Sequence, residues 1–376
     1  MFVELKGAGN HNKGAEMMLV TCLENLGDKN TKFVYAPKFV QGQYEFYSSL
    51  GLYPKASIIY RGMRLDGLAR VLPAKLRLAF GLVADFEIEA VIDISGFAYS
   101  DQWGTKPLRR MAKDVRKWKK AGKKIILMPQ AFGPFQNPEN IKNIRTIINL
   151  SDIIFARDEV SYQSLCAICN DPKIRIAPDF TILLEGVVPE YFDPSKHQVC
   201  IVPNQRMMDK VGLDFDYIRL VVEAIEYFLT WELQPYFLVT GGQEDLQLSE
   251  LINRRLSENV PIVCEEDPVA IKGLIKSSRG MFGSRFHSLA SALYAGIPAV
   301  GLGWSHKYEH LYDDLGFSEG ILQRPFSANC LKEKLSFITN DEKNKSVSKE
   351  LNRHMVDYRN SVENMFADVN RILLNE

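Results

Sequence analysis

The chain has 376 residues, 46% of them hydrophobic and 24% charged, which is longer than most single domains and apolar enough for two buried cores. Lys plus Arg and Asp plus Glu number 46 each, a net charge of zero, so the basic excess of a nucleic-acid-binding protein is missing.

The first ten residues, MFVELKGAGN, carry Glu4 and Lys6 and have no apolar core of the kind a signal peptide needs. No apolar run reaches the roughly 20 residues of a membrane span. The six cysteines are scattered, and the one close pair, Cys166 and Cys169, has no second pair to complete a metal site. They are expected to be reduced thiols, and the protein to be cytoplasmic.

Short β-branched runs alternate with longer amphipathic stretches. Strands are predicted at Phe2–Leu5, Lys32–Tyr35, Val91–Ser95, Lys124–Met128, Ile153–Ala156 and Ile174–Ala177, with helices such as Pro107–Ala121 and Ile141–Leu150 between them. A second series follows: Gln198–Val202, Tyr236–Thr240, Ile262–Cys264, Gly280–Gly283 and Ala299–Gly301. The polar segment Glu190–His197 separates the two. The expected fold is α/β, with two facing doubly wound, Rossmann-like domains at 1–190 and 191–340. Residues 341–376 read as one helix with Leu351, Met355, Tyr358, Val362, Phe366, Val369 and Leu373 on one stripe. That helix is expected to cross back and pack on the first domain. Ligands of such sheets bind outside the carboxyl ends of the strands, so a functional motif should fall just after a strand, in the cleft between the domains.

Gly280-Met-Phe-Gly-Ser284-Arg285-Phe286-His287 does so. An apolar strand ends there and a small-residue helix begins, closed by Gly296 and Pro298. Free N–H groups and the positive end of a helix favour an anion, and an arginine fork matches a carboxylate or phosphate. The alternative is a structural salt bridge at Arg285 and a capping role for His287. Lys307, at the start of the helix after Ala299–Gly301, is a further candidate phosphate contact. His306 and His310 lie four apart but lack a zinc-protease pattern, so no metal site is expected.

The loop Gly7–Glu16 follows the first strand and opens a helix. Its glycines are too far apart for a dinucleotide fingerprint. Asn10, Asn12 and Glu16 suit sugar hydroxyls, and a tight capped turn is the competing reading. Asp101, with Glu16 second, is the candidate general base, and Gln130 is expected to line the same cleft. In Tyr60–Phe86, Arg61, Arg64, Arg70, Lys75 and Arg77 interleave with apolar residues. Such a segment suits either a peripheral contact with the inner face of an anionic membrane or an ordinary surface hairpin.

Gly283-Ser284-Arg285-Phe286-His287-Ser288 with Ala295-Gly296-Ile297-Pro298 resembles the C-terminal signature of the polysaccharide pyruvyltransferases. The resemblance extends in order along most of the chain, through Gly7–Glu16, Ile94–Ala98 with Asp101, Pro129–Pro134, Ala156–Ser161 and Ala177-Pro178-Asp179. Ser95-Gly96-Phe97 departs from the three glycines common in that family. The resemblance implies a GT-B-like architecture and transfer of the enolpyruvyl unit of phosphoenolpyruvate onto two hydroxyls of a sugar or lipid-linked glycan, as a cyclic ketal. It also implies that Arg157 and Arg285 grip the donor, flanked by Ser284 and Phe286, and that His287 moves a proton, with no cofactor. The donor carries about three negative charges, nearly two on its phosphate, which fits two arginines and a histidine. A GT-B-type glycosyltransferase using a nucleotide sugar is the alternative, with Glu309 as its ribose-binding carboxylate. A catalytically silent binding protein is a third reading.

Overall fold

The computed structural model describes residues 1–7, 9, 13–37, 43–56, 59–60, 63–64, 72–210, 216–303, 306–323 and 328–375; at 43, 59, 60, 63, 64, 78, 210, 306 and 307 only the backbone is described. The chain divides into two compact units, Met1–Leu183 with Asn360–Glu376, and Leu184–Arg359.

The first unit is built on a seven-stranded parallel sheet. Its order is Tyr53–Pro54, Lys32–Tyr35, Phe2–Lys6, Ile88–Asp93, Lys124–Gln130, Ile153–Ala156, Ile174–Ile176. The central strands are apolar on both faces because helices cover both sides: Val3, Leu5, Val91, Ile92, Ile125, Ile126, Ile153 and Ile154 are buried. Helix Lys106–Lys120 shows the matching pattern, burying Leu108, Met111, Ala112, Val115 and Trp118 at helical spacing while its lysines face outward. Helix Pro138–Leu150 starts where Asn137 caps it through the Glu139 N–H, with Pro138 in the first turn.

The second unit carries a five-stranded parallel sheet ordered Ile262–Cys264, Pro235–Val239, Val199–Val202, Gly280–Gly283, Ala299–Gly301. Its core joins Val199, Ile201, Phe237, Phe282 and Val300 to Tyr217, Val221, Ile225 and Phe228 of helix Tyr217–Thr230. The polar segment Glu190–His197 lies in this unit.

A single helix, Asp341–Leu374, contributes to both units. Leu351 and Met355 are buried in its earlier part. Beyond Asn360 it belongs to the first unit. There the Asn370 side chain accepts from Gly27 N at 2.8 Å and donates to Asn25 O at 3.0 Å. Lys124 Nζ reaches Leu373 O at 2.7 Å, and Phe366 meets Phe180 edge-on. No helix among the described residues is long and apolar enough to cross a membrane.

In each sheet the strand order reverses once, between Phe2–Lys6 and Ile88–Asp93 in the first and between Val199–Val202 and Gly280–Gly283 in the second. Such reversals open a crevice beyond the carboxyl ends of the two strands, and each of these holds a polar cluster.

Candidate functional site

The second unit's crevice is framed by the residues that leave those two strands. Ser284 N continues the ladder to Val202 O at 3.0 Å. Its side chain and carbonyl are then fixed from three directions. Tyr217 Oη donates to Ser284 Oγ at 3.0 Å, Tyr308 Oη donates to Ser284 O at 3.1 Å, and Asn204 Nδ2 donates to the same carbonyl at 3.1 Å. Burial pushes the Tyr217 phenol up to about 12, so it remains a donor. Asn204 is buried, and its Oδ1 accepts from Arg206 N at 3.0 Å.

Arg285 occupies the N-cap position of helix Phe286–Tyr294 with extended backbone and makes no capping hydrogen bond of its own. Its guanidinium is paired with Asp245 through both Nε and Nη2. Asp245 is only 2% exposed, sits in helix Gln243–Asn253, and accepts from Gln205 N at 3.0 Å through its other oxygen. Gly241 makes this pairing possible, because a Cβ there would overlap both the guanidinium and the carboxylate. The structural salt bridge weighed in the sequence is therefore real. Arg285 is not a bare cation waiting for a ligand, but an arginine oriented by a buried acid, with its side chain still 30% exposed. Arg206, the first residue of the short helix Arg206–Lys210 that follows Val199–Val202, adds a second, mostly exposed guanidinium 4.0 Å from Asp209. His287 lies in the first turn of helix Phe286–Tyr294, half-buried, with its carbonyl accepting from Ser291 Oγ. Phe286 packs edge-on against Tyr308. The side chain of Lys307 lies outside the described residues.

At the first unit's crevice Lys6, Asp93 and Tyr99 form a compact triad. Lys6 Nζ donates to Asp93 Oδ2 at 2.7 Å and to Tyr99 Oη at 3.0 Å, and Tyr99 Oη donates to Asp93 Oδ2 at 2.5 Å. Ser95 caps the other oxygen through its N–H at 2.9 Å and through its hydroxyl. Burial alone would lower the Lys6 ammonium, but the Asp93 charge raises it well above its ordinary value. Burial would raise Asp93, and Lys6 holds it below the usual carboxylate range. Gly7 leaves the strand with φ +94° against the Ser95 backbone, a place with no room for a side chain.

Several sequence-predicted positions are corrected. Asp101 is already engaged: its carboxylate accepts from Gln136 N at 2.5 Å, Asn137 N at 2.8 Å and Asn140 Nδ2 at 2.7 Å. Three of its roughly four lone-pair sites brace the loop after Lys124–Gln130. Gln130 does not line an open surface. It is fully buried, and neither amide atom finds a partner. Arg77, counted in the basic face of Tyr60–Phe86, is buried and bonded to Glu87 at 2.6 Å. Arg157 follows strand Ile153–Ala156 in the first unit, its Nε 3.7 Å from Asp158; Arg285 belongs to the second unit. Each arginine thus has an acidic neighbour, so neither is a bare cation. Glu16 is buried beside Lys13 at 2.8 Å. Asn10 and Asn12 lie outside the described residues, as do 61–62 and 65–71. Sequence reasoning missed Asn204, Arg206, Tyr217 and Asp245. Among the described residues no three His, Cys, Asp or Glu side chains cluster as metal ligands.

A profile of the polysaccharide pyruvyl transferase family matches residues 20–306, a span that contains the Arg285 signature and both crevices' later strands. The chain belongs to the polysaccharide pyruvyl transferase family. No curated protein matches it in sequence. Among solved structures it is similar to UDP-GlcNAc 2-epimerase from Neisseria meningitidis, at 12% identity and TM-score 0.63 with all of both chains covered. It is also similar to a putative UDP-N-acetylglucosamine 2-epimerase from Listeria monocytogenes, at 13% identity and TM-score 0.63, covering 100% of this chain and 97% of the other. The glycosyltransferase SnogD from Streptomyces nogalater matches at 12% identity and TM-score 0.52, covering 99% and 98%. These likenesses establish a GT-B-like fold. This pyruvyl transferase family member is thus a two-unit α/β transferase whose family signature falls at the second sheet's crevice.

Proposed function

We propose that the chain moves the enolpyruvyl group of phosphoenolpyruvate onto two hydroxyls of a sugar, forming a cyclic ketal and releasing phosphate. The observation that carries this reading is Arg285, held rigid by Asp245 at the start of a helix in the second sheet's crevice. A pre-oriented arginine loses little freedom on meeting a carboxylate or phosphate, and the helix N-terminus adds its own positive end. Arg206 supplies further positive charge on the same unit. The Arg285–Asp245 pair is neutral, so Arg206 and the helix end carry the remaining compensation for a trianion on this unit.

In the reaction, both sugar oxygens bond to the former vinyl carbon, the C–O bond to phosphate breaks, and a proton adds to the terminal carbon to make a methyl group. An acid is required for that carbon and a base for the hydroxyls. His287 is assigned the proton transfer, since an imidazole serves either role near neutral pH. Ser284 and Phe286 shape the donor's surroundings, and Lys307 is assigned to its phosphate. On the first unit, Asn10, Asn12 and Glu16 with the Lys6–Asp93–Tyr99 triad are assigned to the acceptor. The reaction needs no cofactor. Exposed Leu76, Phe80 and Phe86, with exposed Lys75 in the same segment, are compatible with a peripheral contact with the inner face of a membrane, which would suit a lipid-linked acceptor.

The test is to incubate the protein with phosphoenolpyruvate and a panel of glycans, following phosphate release and acceptor mass. Because the two hydroxyl protons leave in the acid–base steps, a product gains about 70 Da. Loss of that gain in His287→Ala with the fold intact supports the assignment; wild-type turnover in that variant refutes it. The GT-B-like fold is also compatible with a second reading, a glycosyltransferase with Glu309 at the ribose. It predicts release of a nucleoside diphosphate and no dependence on phosphoenolpyruvate.

A further inference from the structure

We propose that Phe97 and Trp103 form a stacking platform for one pyranose ring of the acceptor; this rests on the reading that the acceptor is a sugar. Both residues leave the same strand, Ile88–Asp93, at the carboxyl edge that frames the first unit's crevice. Their rings stand 5.8 Å apart at 71°, edge to face. Phe97 is 36% exposed and Trp103 52%. Single exposed apolar residues are common on protein surfaces and mean little. This pair differs because the backbone beneath it is fixed in place.

Trp103 closes a short 3-10 turn, Asp101–Trp103, capped by Ser100, which accepts from Gln102 N at 3.2 Å. Asp101 then ties that turn to Gln136, Asn137 and Asn140. Phe97 N bonds to Ser95 O at 2.8 Å, and the carbonyl of Gly96 accepts from Ala131 N at 2.9 Å. The three hydrogen bonds of Asp101 thus anchor the turn that carries the exposed Trp103 at the carboxyl edge of the sheet. A pyranose ring offers a face of C–H groups with hydroxyls around its rim. The negative face of an aromatic ring attracts such C–H groups, and the two side chains present area already ordered before binding. The partly exposed Lys6 of the triad lies at the end of the neighbouring strand and can serve rim hydroxyls. Two rings alone are far smaller than a stable protein interface requires.

The experiment is saturation-transfer NMR of the full chain with methyl glucopyranoside, methyl galactopyranoside and methyl mannopyranoside, with erythritol as a ringless polyol. Transfer to ring C–H protons of at least one pyranoside and none to erythritol is expected. Trp103→Ala and Phe97→Ala should each weaken that binding about tenfold, the size of one lost aromatic contact, while Trp103→Phe retains most of it. Titration with phosphoenolpyruvate should be unchanged in all three. No pyranoside binding by the wild type, equal binding of erythritol, or wild-type binding by Trp103→Ala overturns the platform. So does a dimer that Trp103→Ala dissolves while pyranoside binding persists. The assay needs no turnover: pyruvyl transfer with an unaltered acceptor KM in Trp103→Ala would sink this inference and leave the proposed activity standing, and sugar binding without transfer would do the reverse.

Discussion

One oxygen of the Asp245 carboxylate is paired with the guanidinium of Arg285 and the other accepts the backbone N–H of Gln205 at 3.0 Å. Asp245 therefore links the loops that follow two different strands and leaves Arg285 one orientation. Removing one member of a fully buried pair costs about 3–5 kcal/mol, and partial exposure of Arg285 places this pair below that range. Arg285→Ala strands a buried carboxylate and should lower the melting temperature more than the double variant Arg285→Ala/Asp245→Asn. Thermal unfolding of the two singles and the double checks it; additive losses would show that the pair is not coupled.

Gly241→Ala probes the same pair without touching a charge. The new methyl group meets the guanidinium and the carboxylate at once, and one of them must move. The expected result is a KM for phosphoenolpyruvate raised about tenfold or more, the scale of one misplaced charge-assisted contact, with kcat less affected. An unchanged KM would mean that the orientation of Arg285 is not needed for donor binding.

How much of this was legible beforehand depends on distance along the chain. Gly283-Ser284-Arg285 announces itself locally, because an apolar strand turns into a helix within a few residues. Asp245 lies 40 residues from Arg285, on a helix whose opening acids look like ordinary favourable charges at an N-terminus. The available signal was Gly241-Gly242 directly after a strand, marking close backbone approach. The strand predicted at Val91–Ser95 runs Ile88–Asp93, where exposed Glu89 alternates with buried Ile88 and Ala90. The two-residue strand Tyr53–Pro54 is too short, and too marked by proline, to stand out.

Gln130 offers the opposite kind of test. Both amide atoms are buried and unpartnered, and an unsatisfied buried polar group costs about 1–3 kcal/mol. Gln130→Met keeps the volume and removes the cost. Chemical denaturation should show equal or greater stability; a loss above about 1 kcal/mol would mean that the amide is paired in solution.

Acid stability should centre on Asp85. Burial would raise its carboxyl, but Lys55 at 2.6 Å, with Lys123 and Lys117 nearby, holds it well below the usual range. A depressed folded-state value stabilises the protein above the unfolded value of about 4 and loses that contribution as pH falls through it. Asp85→Asn should therefore be less stable than wild type at pH 7, with the gap closing below about pH 4. Urea titrations at pH 7, 4 and 3 read this directly, and a gap independent of pH would assign the loss to something other than charge.

The helix Asp341–Leu374 has a consequence for how the protein is made. Its last turns complete a unit whose other residues end at Leu183, so on the ribosome that unit waits until the whole of the second unit and this helix have been made. Until then the surface destined for Val362, Phe366, Val369 and Leu373 stands open to water and to chaperones. A premature stop late in the second unit would accordingly show itself as failure of the first.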